Sequence, residues 1–340
     1  MNRRQFLVNS SVLTTGLVGL GAMTLVEKPT KIAPRALRAG DTIALTAPAG
    51  AVFNQDHIGK MEALLKRFGF KVVLGKTLTE KEGYLAGSDE LRAEELNAFF
   101  ANTNVHAIFT MRGGWGCGRI LDLIDYEVIK ANPKIIMGFS DITSLLVTIT
   151  ERTGLITFHG PVGYSSWNAF SVQSVYDTLV EGKKVDFDNP PEERDNLETI
   201  VSSSTAGEIL AGNLTVLCSL VGTPYEPTWE GKILCLEEVG EEPYRIDRML
   251  WQMGSAGVFK KINGLVLGSF KKCEPEFPDE SFSLSEVFDQ HFKPLSIPVF
   301  KGASFGHTAN KYNLPIGAMA IMNSQNFGFK LLVKPTHLNG

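Results

Sequence analysis

Three residues in the chain have the types and the order that acyl transfer requires. Ser140, Glu237 and His307 supply a hydroxyl, a carboxylate and an imidazole. In serine hydrolases the imidazole takes the proton of the serine hydroxyl, and the carboxylate orients the imidazole. Each residue alone is a weak signal, but the set favours acyl transfer.

Ser140 lies where an apolar strand gives way to a helix, within the run Ile135–Asp141. A serine on such a turn exposes its hydroxyl, and the helix start directs N–H groups toward developing negative charge. The run matches only half of the GxSxG motif, because Ile142 stands where that motif has its second glycine. The alternative interpretation is a helix N-cap, where serine is common.

A glycine-rich loop, Arg112–Gly118, follows a predicted strand and precedes a helix. It lacks the dinucleotide-binding pattern, since Arg119 stands at the last glycine position, and it lacks the Gly-Lys-Ser/Thr of a P-loop. A backbone that allows close approach can supply an N–H group to an oxyanion hole. A tight turn without a catalytic role is equally compatible with the sequence.

The carboxylate and the base each have a competitor. Glu237 and Glu238 both end an apolar strand, and because side chains alternate along a strand, only one of them can face a site. His307 lies in a glycine-bearing loop, whereas His159, at a strand end, is the competing base. A strand-end glutamate or a loop histidine is also commonly just a solvated residue.

Composition argues against several other kinds of site. The six histidines include no HExxH or closely spaced ligand set, which argues against a zinc hydrolase. Four cysteines without CxxC spacing indicate neither a zinc ribbon nor a disulfide scaffold. The formal net charge of -4 leaves no basic surplus for general nucleic-acid binding. We expect no metal, no cofactor and no nucleic-acid partner.

Strands and helices alternate along the first half of the chain, which predicts a mostly parallel sheet with ligands at the carboxyl ends of its strands. At about 100–200 residues per domain, 340 residues predict two domains. We expect an N-terminal α/β domain with the nucleophile over 37–165 and a polar linker region over 166–207. A strand-rich C-terminal domain over 208–335 would carry the glutamate and the histidine.

Residues 1–30 have the features of an export signal. Arg3 and Arg4 precede an uncharged stretch, Val12–Val26, that is shorter than the roughly 20 residues needed to span a bilayer. The Arg-Arg-Gln-Phe-Leu string resembles a twin-arginine signal, and the alternative is a Sec signal with two chance arginines. We expect an exported, periplasmic protein with no stable membrane span once this leader is removed.

Motifs over about residues 37–335 resemble those of the LD-carboxypeptidases, a serine peptidase family that also holds the microcin-immunity peptidases. The matching runs are Arg112-Gly-Gly-Trp-Gly, Gly138-Phe-Ser-Asp141, Thr157-Phe-His-Gly-Pro161, Leu236-Glu-Glu-Val-Gly-Glu, Pro243-Tyr-Arg-Ile-Asp-Arg248 and Phe305-Gly-His307. Several motifs in the family's order make the resemblance specific.

The resemblance implies a Ser140–Glu237–His307 triad and an oxyanion hole from the N–H groups of Gly114 and Asp141. It implies a flavodoxin-like N-terminal domain, a smaller β-rich α+β domain with the site between them, and a homodimer. The implied reaction is hydrolysis of the L,D amide bond that releases terminal D-alanine from murein tetrapeptides, without a metal. Two alternatives stay open: a microcin-immunity-type hydrolase of acylated nucleotide or amino-acid conjugates, and a non-catalytic exported peptide-binding protein.

Overall fold

The structure is a computed structural model that describes residues 29–338. Almost all of the predicted leader therefore lies outside the described residues. The strands are β1 (Thr42–Thr46), β2 (Lys71–Leu74), β3 (Ala107–Thr110), β4 (Ile135–Gly138), β5 (Thr157–His159), β6 (Glu198–Val201), β7 (Ser204–Asn213), β8 (Lys232–Val239), β9 (Gly264–Lys271), β10 (Val299–Lys301), β11 (Leu314–Ile316), β12 (Met319–Asn323) and β13 (Gly328–Leu331). The helices are α1 (Asp56–Arg67), α2 (Asp89–Ala101), α3 (Tyr126–Ala131), α4 (Thr143–Thr153), α5 (Ala169–Leu179), α6 (Leu214–Leu220), α7 (Pro243–Ser255), α8 (Val258–Lys261) and α9 (Leu284–Phe292).

The first sheet has the strand order β11-β5-β4-β3-β1-β2, in which β1 to β5 are parallel. β3 and β4 are buried at every position, as expected for strands of a parallel sheet covered on both faces. The order 2-1-3-4-5 is that of flavodoxin-like folds. The prediction of a mostly parallel N-terminal sheet is confirmed.

The second sheet has seven strands in the order β13-β12-β7-β8-β9-β10-β6. Its central strands β7 to β10 are parallel, and antiparallel strands complete both edges. Helices α6 to α9 connect the parallel strands. The second, mixed unit that the sequence predicted is therefore present.

Part of the C-terminal half belongs to the first sheet. Strand β11, from the C-terminal half, pairs antiparallel with β5 and so completes the first sheet. The segment 166–207, expected as a linker, carries α5, β6 and the start of β7. All three residues of β11 are buried, which explains why so short a strand holds its place. None of the helices between Pro29 and Leu338 is both long and apolar enough to cross a membrane.

The register of the first sheet places the glycine loop next to the turn that contains Ser140. β3 pairs with β4 from Ala107 to Phe109, so the glycine loop after β3 and the serine turn after β4 leave the sheet side by side. Within the second sheet, Asn213 at the end of β7 is opposite Glu237 of β8. The loop after β3, the turn after β4 and the ends of β8 and β9 line one cleft between the two units.

Candidate active site

Ser140 occupies a strained turn between β4 and α4. Its φ of 65° lies in the left-handed region, which non-glycine residues rarely adopt and which concentrates at functional sites. A 3-10 turn over Ser140–Ile142 leads into α4. No side-chain hydrogen bond caps this turn or α4, so the Ser140 hydroxyl is not used as a helix cap. The turn presents Ser140 to the cleft.

His307 and Glu237 form a close pair at the cleft, which His307 lines. His307 Nδ1 lies 2.6 Å from Glu237 Oε2, and the Glu237 side chain has no exposed surface. Gly306 has a φ of 89°, and a Cβ built on it would lie 2.5 Å from Glu237 Cβ. Glycine therefore allows the loop to cross directly over the carboxylate. Because Nδ1 faces Glu237, Nε2 is the nitrogen left for the cleft.

Ser140 and His307 both line the cleft, but within residues 29–338 no hydrogen bond joins their side chains. Such bonds are often long in the absence of substrate and tighten when it binds. The structure thus brings Ser140 and His307 to one cleft, with Glu237 buried against His307 and the carboxylate–imidazole pair already formed.

Glu238 points away from this pair and anchors another element. Its Oε1 accepts hydrogen bonds from Asn213 Nδ2 and from the Val239 N–H, both at 2.8 Å. Its Oε2 accepts from the Thr215 N–H at 2.8 Å and from Thr215 Oγ1 at 2.7 Å. The strand alternation expected from the sequence separates the two glutamates, and Glu238 secures the start of α6.

His159, the competing base, is sealed beneath the cleft. Its ring is buried between Phe139 and Phe305, and neither ring nitrogen has a hydrogen-bond partner in the described part of the chain. Burial, together with the nearby charges of His307 and Lys311, lowers the pKa of His159 to about 3. The imidazole is therefore neutral near pH 7 and has no acceptor for a proton relay.

The glycine loop packs directly against the serine turn. A Cβ on Gly113 would lie 2.7 Å from Ser140 Cβ and 3.1 Å from the Asp141 nitrogen. Gly114 follows with a φ of 111°, a conformation that favours glycine. The backbone segments that carry the N–H groups of Gly114 and Asp141 thus contact each other beside the Ser140 hydroxyl.

Buried polar groups hold this loop in place. The Asp141 carboxylate accepts a hydrogen bond of 2.8 Å from the Cys117 N–H, and burial raises the pKa of Asp141. The fully buried Arg92 donates to the Gly116 carbonyl at 3.0 Å and to the Pro48 carbonyl at 2.6 Å. Arg92 could not be recognised from the sequence, because an arginine on a helix is normally solvated.

The cleft has a volume of about 560 Å³, within the usual range for ligand sites. Four basic side chains line it, and the described lining contains no aspartate or glutamate side chain; the basic residues are Arg112, Lys271, Lys272 and Lys311. Lys272 adopts a φ of 56°, the second strained residue of the cleft after Ser140. Burial lowers the pKa of Lys311 to about 8. The arrangement suits an anionic ligand.

Models of one protein family match both halves of the chain. The family model of the LD-carboxypeptidase N-terminal domain matches residues 43–160, and that of the C-terminal domain matches residues 206–322. The chain belongs to the LD-carboxypeptidase family. The resemblance predicted from the sequence motifs is confirmed, and this LD-carboxypeptidase family member is a serine-type peptidase and hydrolase.

Individual relatives cover nearly the whole chain. A probable murein peptide carboxypeptidase of Bacillus subtilis is 36% identical over 296 residues, 86% of this chain and 91% of the relative. The murein tetrapeptide carboxypeptidase of Pseudomonas aeruginosa is 32% identical over 299 residues, 82% of this chain and 92% of the relative. A solved structure of MccF with glutamyl sulfamoyl guanosine superposes with a TM-score of 0.82 at 26% identity, covering 89% of this chain and 99% of that one.

Proposed function

We propose that this LD-carboxypeptidase family member hydrolyses the L,D amide bond that releases the terminal D-alanine from murein tetrapeptides. The observation that carries the proposal is the strained Ser140 turn, which faces the same cleft as the His307–Glu237 pair. The names of the Bacillus subtilis and Pseudomonas aeruginosa relatives support the substrate class.

In the acylation step, Ser140 Oγ would attack the carbonyl carbon of the L-configured residue while His307 Nε2 takes the hydroxyl proton. Glu237 would orient the imidazole and stabilise the imidazolium, as in other serine hydrolases. The tetrahedral intermediate then expels D-alanine, whose amine receives the proton from His307, and the peptide remains as an ester on Ser140. Water attacks that ester by the reverse sequence of proton transfers, releasing the tripeptide and restoring Ser140.

The N–H groups of Gly114 and Asp141 would stabilise the oxyanion of both tetrahedral intermediates. Donors of this kind are worth about 10²–10³ in kcat each. These N–H groups need no reorganisation during the reaction if the glycine loop is already fixed. The hydrogen bonds that join Arg92 and Asp141 to that loop support a fixed position.

The charge of the cleft supports a peptide with free carboxylates as substrate. A carboxypeptidase must accept a terminal carboxylate close to the scissile bond. Arg112 begins the glycine loop, and its Nη2 is 3.2 Å from the position of a Cβ on Gly114. We therefore propose Arg112 as the group nearest to the carboxylate of the departing D-alanine.

The direct test uses residues 30–340 with a synthetic murein tetrapeptide, followed by mass spectrometry with and without EDTA. We expect loss of one D-alanine, unaffected by EDTA and abolished by Ser140→Ala. A tetrapeptide that binds the protein but remains intact would instead support a non-catalytic peptide-binding protein. A tetrapeptide that neither reacts nor binds would overturn the proposed substrate.

The similarity to MccF with glutamyl sulfamoyl guanosine favours a second candidate function. This is hydrolysis of acylated nucleotide or amino-acid conjugates by the same three residues. Incubation with aspartyl sulfamoyl adenosine in parallel with the tetrapeptide separates the two functions. Faster turnover of the nucleoside conjugate would favour the second candidate.

We further propose that the chain is exported by its twin-arginine-like leader and acts in the periplasm as a homodimer. The support is the pattern of residues 1–30 and the family resemblance. Fusion of residues 1–36 to a reporter, compared with the Arg3→Lys/Arg4→Lys variant, tests export. Light scattering of residues 30–340 tests the dimer.

A further inference from the structure

The loop that carries His307 is held by a segment that the sequence predicts as a linker. This His307 loop, 302–312, connects β10 to β11 and contains no regular secondary structure. The segment 189–196 runs alongside it, and a Cβ on Gly302 would lie 2.0 Å from the Asn196 carbonyl oxygen. A loop without helix or strand hydrogen bonds of its own depends on contacts with neighbouring segments for a fixed position.

One carboxylate in the linker contacts the His307 loop on both sides of the histidine. Glu193 Oε2 accepts a hydrogen bond of 2.5 Å from Ser304 Oγ, and Oε1 accepts one of 2.8 Å from Asn310 Nδ2. Ser304 precedes His307 by three residues and Asn310 follows it by three. Glu193 thus bridges the two flanks of the loop.

Asn189 strengthens the same connection. Its side-chain amide donates to the Gly302 carbonyl at 2.8 Å and to the Glu193 carbonyl at 3.0 Å. Its carbonyl oxygen accepts from the Ser304 N–H at 3.0 Å. The Asn189 side chain therefore fixes the start of the His307 loop and the backbone of Glu193 together.

We propose that Glu193 is a positioning residue for catalysis, acting through the His307 loop rather than on the substrate. The inference rests on the proposed role of His307 as the general base. Displacement of a catalytic group by about 1 Å can cost about 100-fold in rate. Glu193 does not line the cleft, so its loss is expected to change kcat more than substrate binding.

The test compares Glu193→Ala with Glu193→Gln and with a matched control, Glu192→Ala. Glu192 is exposed and has no hydrogen bond or ion pair within the described residues. We expect Glu193→Ala to lower kcat for the tetrapeptide at least about tenfold with little change in KM. Glu193→Gln, whose amide can accept from Asn310 and donate to Ser304, is expected to restore most of the rate. Glu192→Ala is expected to match the wild type.

Hydrogen–deuterium exchange separates this inference from the proposed function, because it needs no substrate. We expect Glu193→Ala to increase exchange in peptides from 302–312 and to leave the strands of both sheets protected. Equal kcat and equal loop exchange in the Glu193→Ala and Glu192→Ala variants would overturn the proposal, and so would a loss of protection throughout the molecule. A wild type that releases no D-alanine would contradict the proposed function, while the exchange result would still decide whether Glu193 holds the loop.

Discussion

At the residue scale, adjacent Glu237 and Glu238 make a matched pair for testing the triad. Glu237→Gln removes the charge that faces His307 Nδ1 and permits the wrong imidazole tautomer, so we expect kcat to fall by about 10³–10⁴. Glu238→Gln weakens the bonds to Asn213 and Thr215 and is expected to cost about 1–3 kcal/mol of stability with kcat near that of the wild type. Steady-state kinetics and thermal unfolding of both variants test this. Equal losses of kcat in the Glu237→Gln and Glu238→Gln variants would contradict the assignment of Glu237 as the carboxylate of the triad.

His159 leads to a prediction about acid stability. In the unfolded chain its pKa is about 6.5, whereas burial lowers the folded pKa to about 3, so the unfolded state binds more protons between these values. The free energy of unfolding therefore decreases as the pH falls below about 6.5, by about 2 kcal/mol at pH 5. His159→Leu removes this contribution.

We expect the unfolding midpoint of the His159→Leu variant to decrease less than that of the wild type between pH 7 and pH 5. Denaturant unfolding at each pH measures the difference, and His337→Leu, which removes an exposed imidazole, is the control. If the unfolding midpoints of the His159→Leu variant and the wild type decrease equally between pH 7 and pH 5, His159 is not the buried neutral group described above.

At the scale of elements, the glycine loop and the serine turn work as one unit. A methyl group at Gly113 would collide with Ser140 Cβ and with the Asp141 nitrogen, so the loop must retreat and carry the Gly114 N–H with it. We expect Gly113→Ala to lower kcat by about 10²-fold or more, the effect of losing one oxyanion donor. Gly118→Ala, at the end of the same loop, places its added Cβ in open space, with no neighbouring atom within 4 Å, and is the control. Measurement of kcat and of circular dichroism for both variants tests whether the loss is catalytic.

The elements also explain which features the sequence could predict. Ser140, Glu237 and His307 lie at strand ends or beside glycines, where composition changes abruptly and local patterns are informative. Glu193 and Asn189 lie in a polar, proline-containing segment typical of a linker, and their partners are more than 100 residues away along the chain. Local patterns do not encode such pairings. The pairing of β11 with β5 could not be predicted from the sequence for the same reason.

At the scale of the whole molecule, the charge of the cleft is opposite to that of the chain. The chain carries a net charge of -4, yet Arg112, Lys271, Lys272 and Lys311 line the cleft. Lys271 and Lys272 are exposed and have no ion-pair partner in residues 29–338. Unpaired cations at the mouth of a cleft attract anionic ligands from solution, and salt weakens this attraction.

We therefore expect kcat/KM for an anionic tetrapeptide, one with diaminopimelate at its third position, to decrease as the ionic strength rises from about 0.01 M to 0.15 M, over which the Debye length shortens from about 30 Å to 8 Å. The Lys271→Gln/Lys272→Gln variant is expected to have a lower kcat/KM at low salt and a shallower salt dependence. Lys60→Gln/Lys130→Gln changes the net charge equally at exposed positions outside the cleft, on α1 and α3. If the two double variants respond to salt alike, Lys271 and Lys272 do not cause the attraction, and the proposal for the cleft is wrong. A steeper salt dependence of kcat/KM in the Lys60→Gln/Lys130→Gln variant than in the Lys271→Gln/Lys272→Gln variant would show that the cleft lysines attract the substrate.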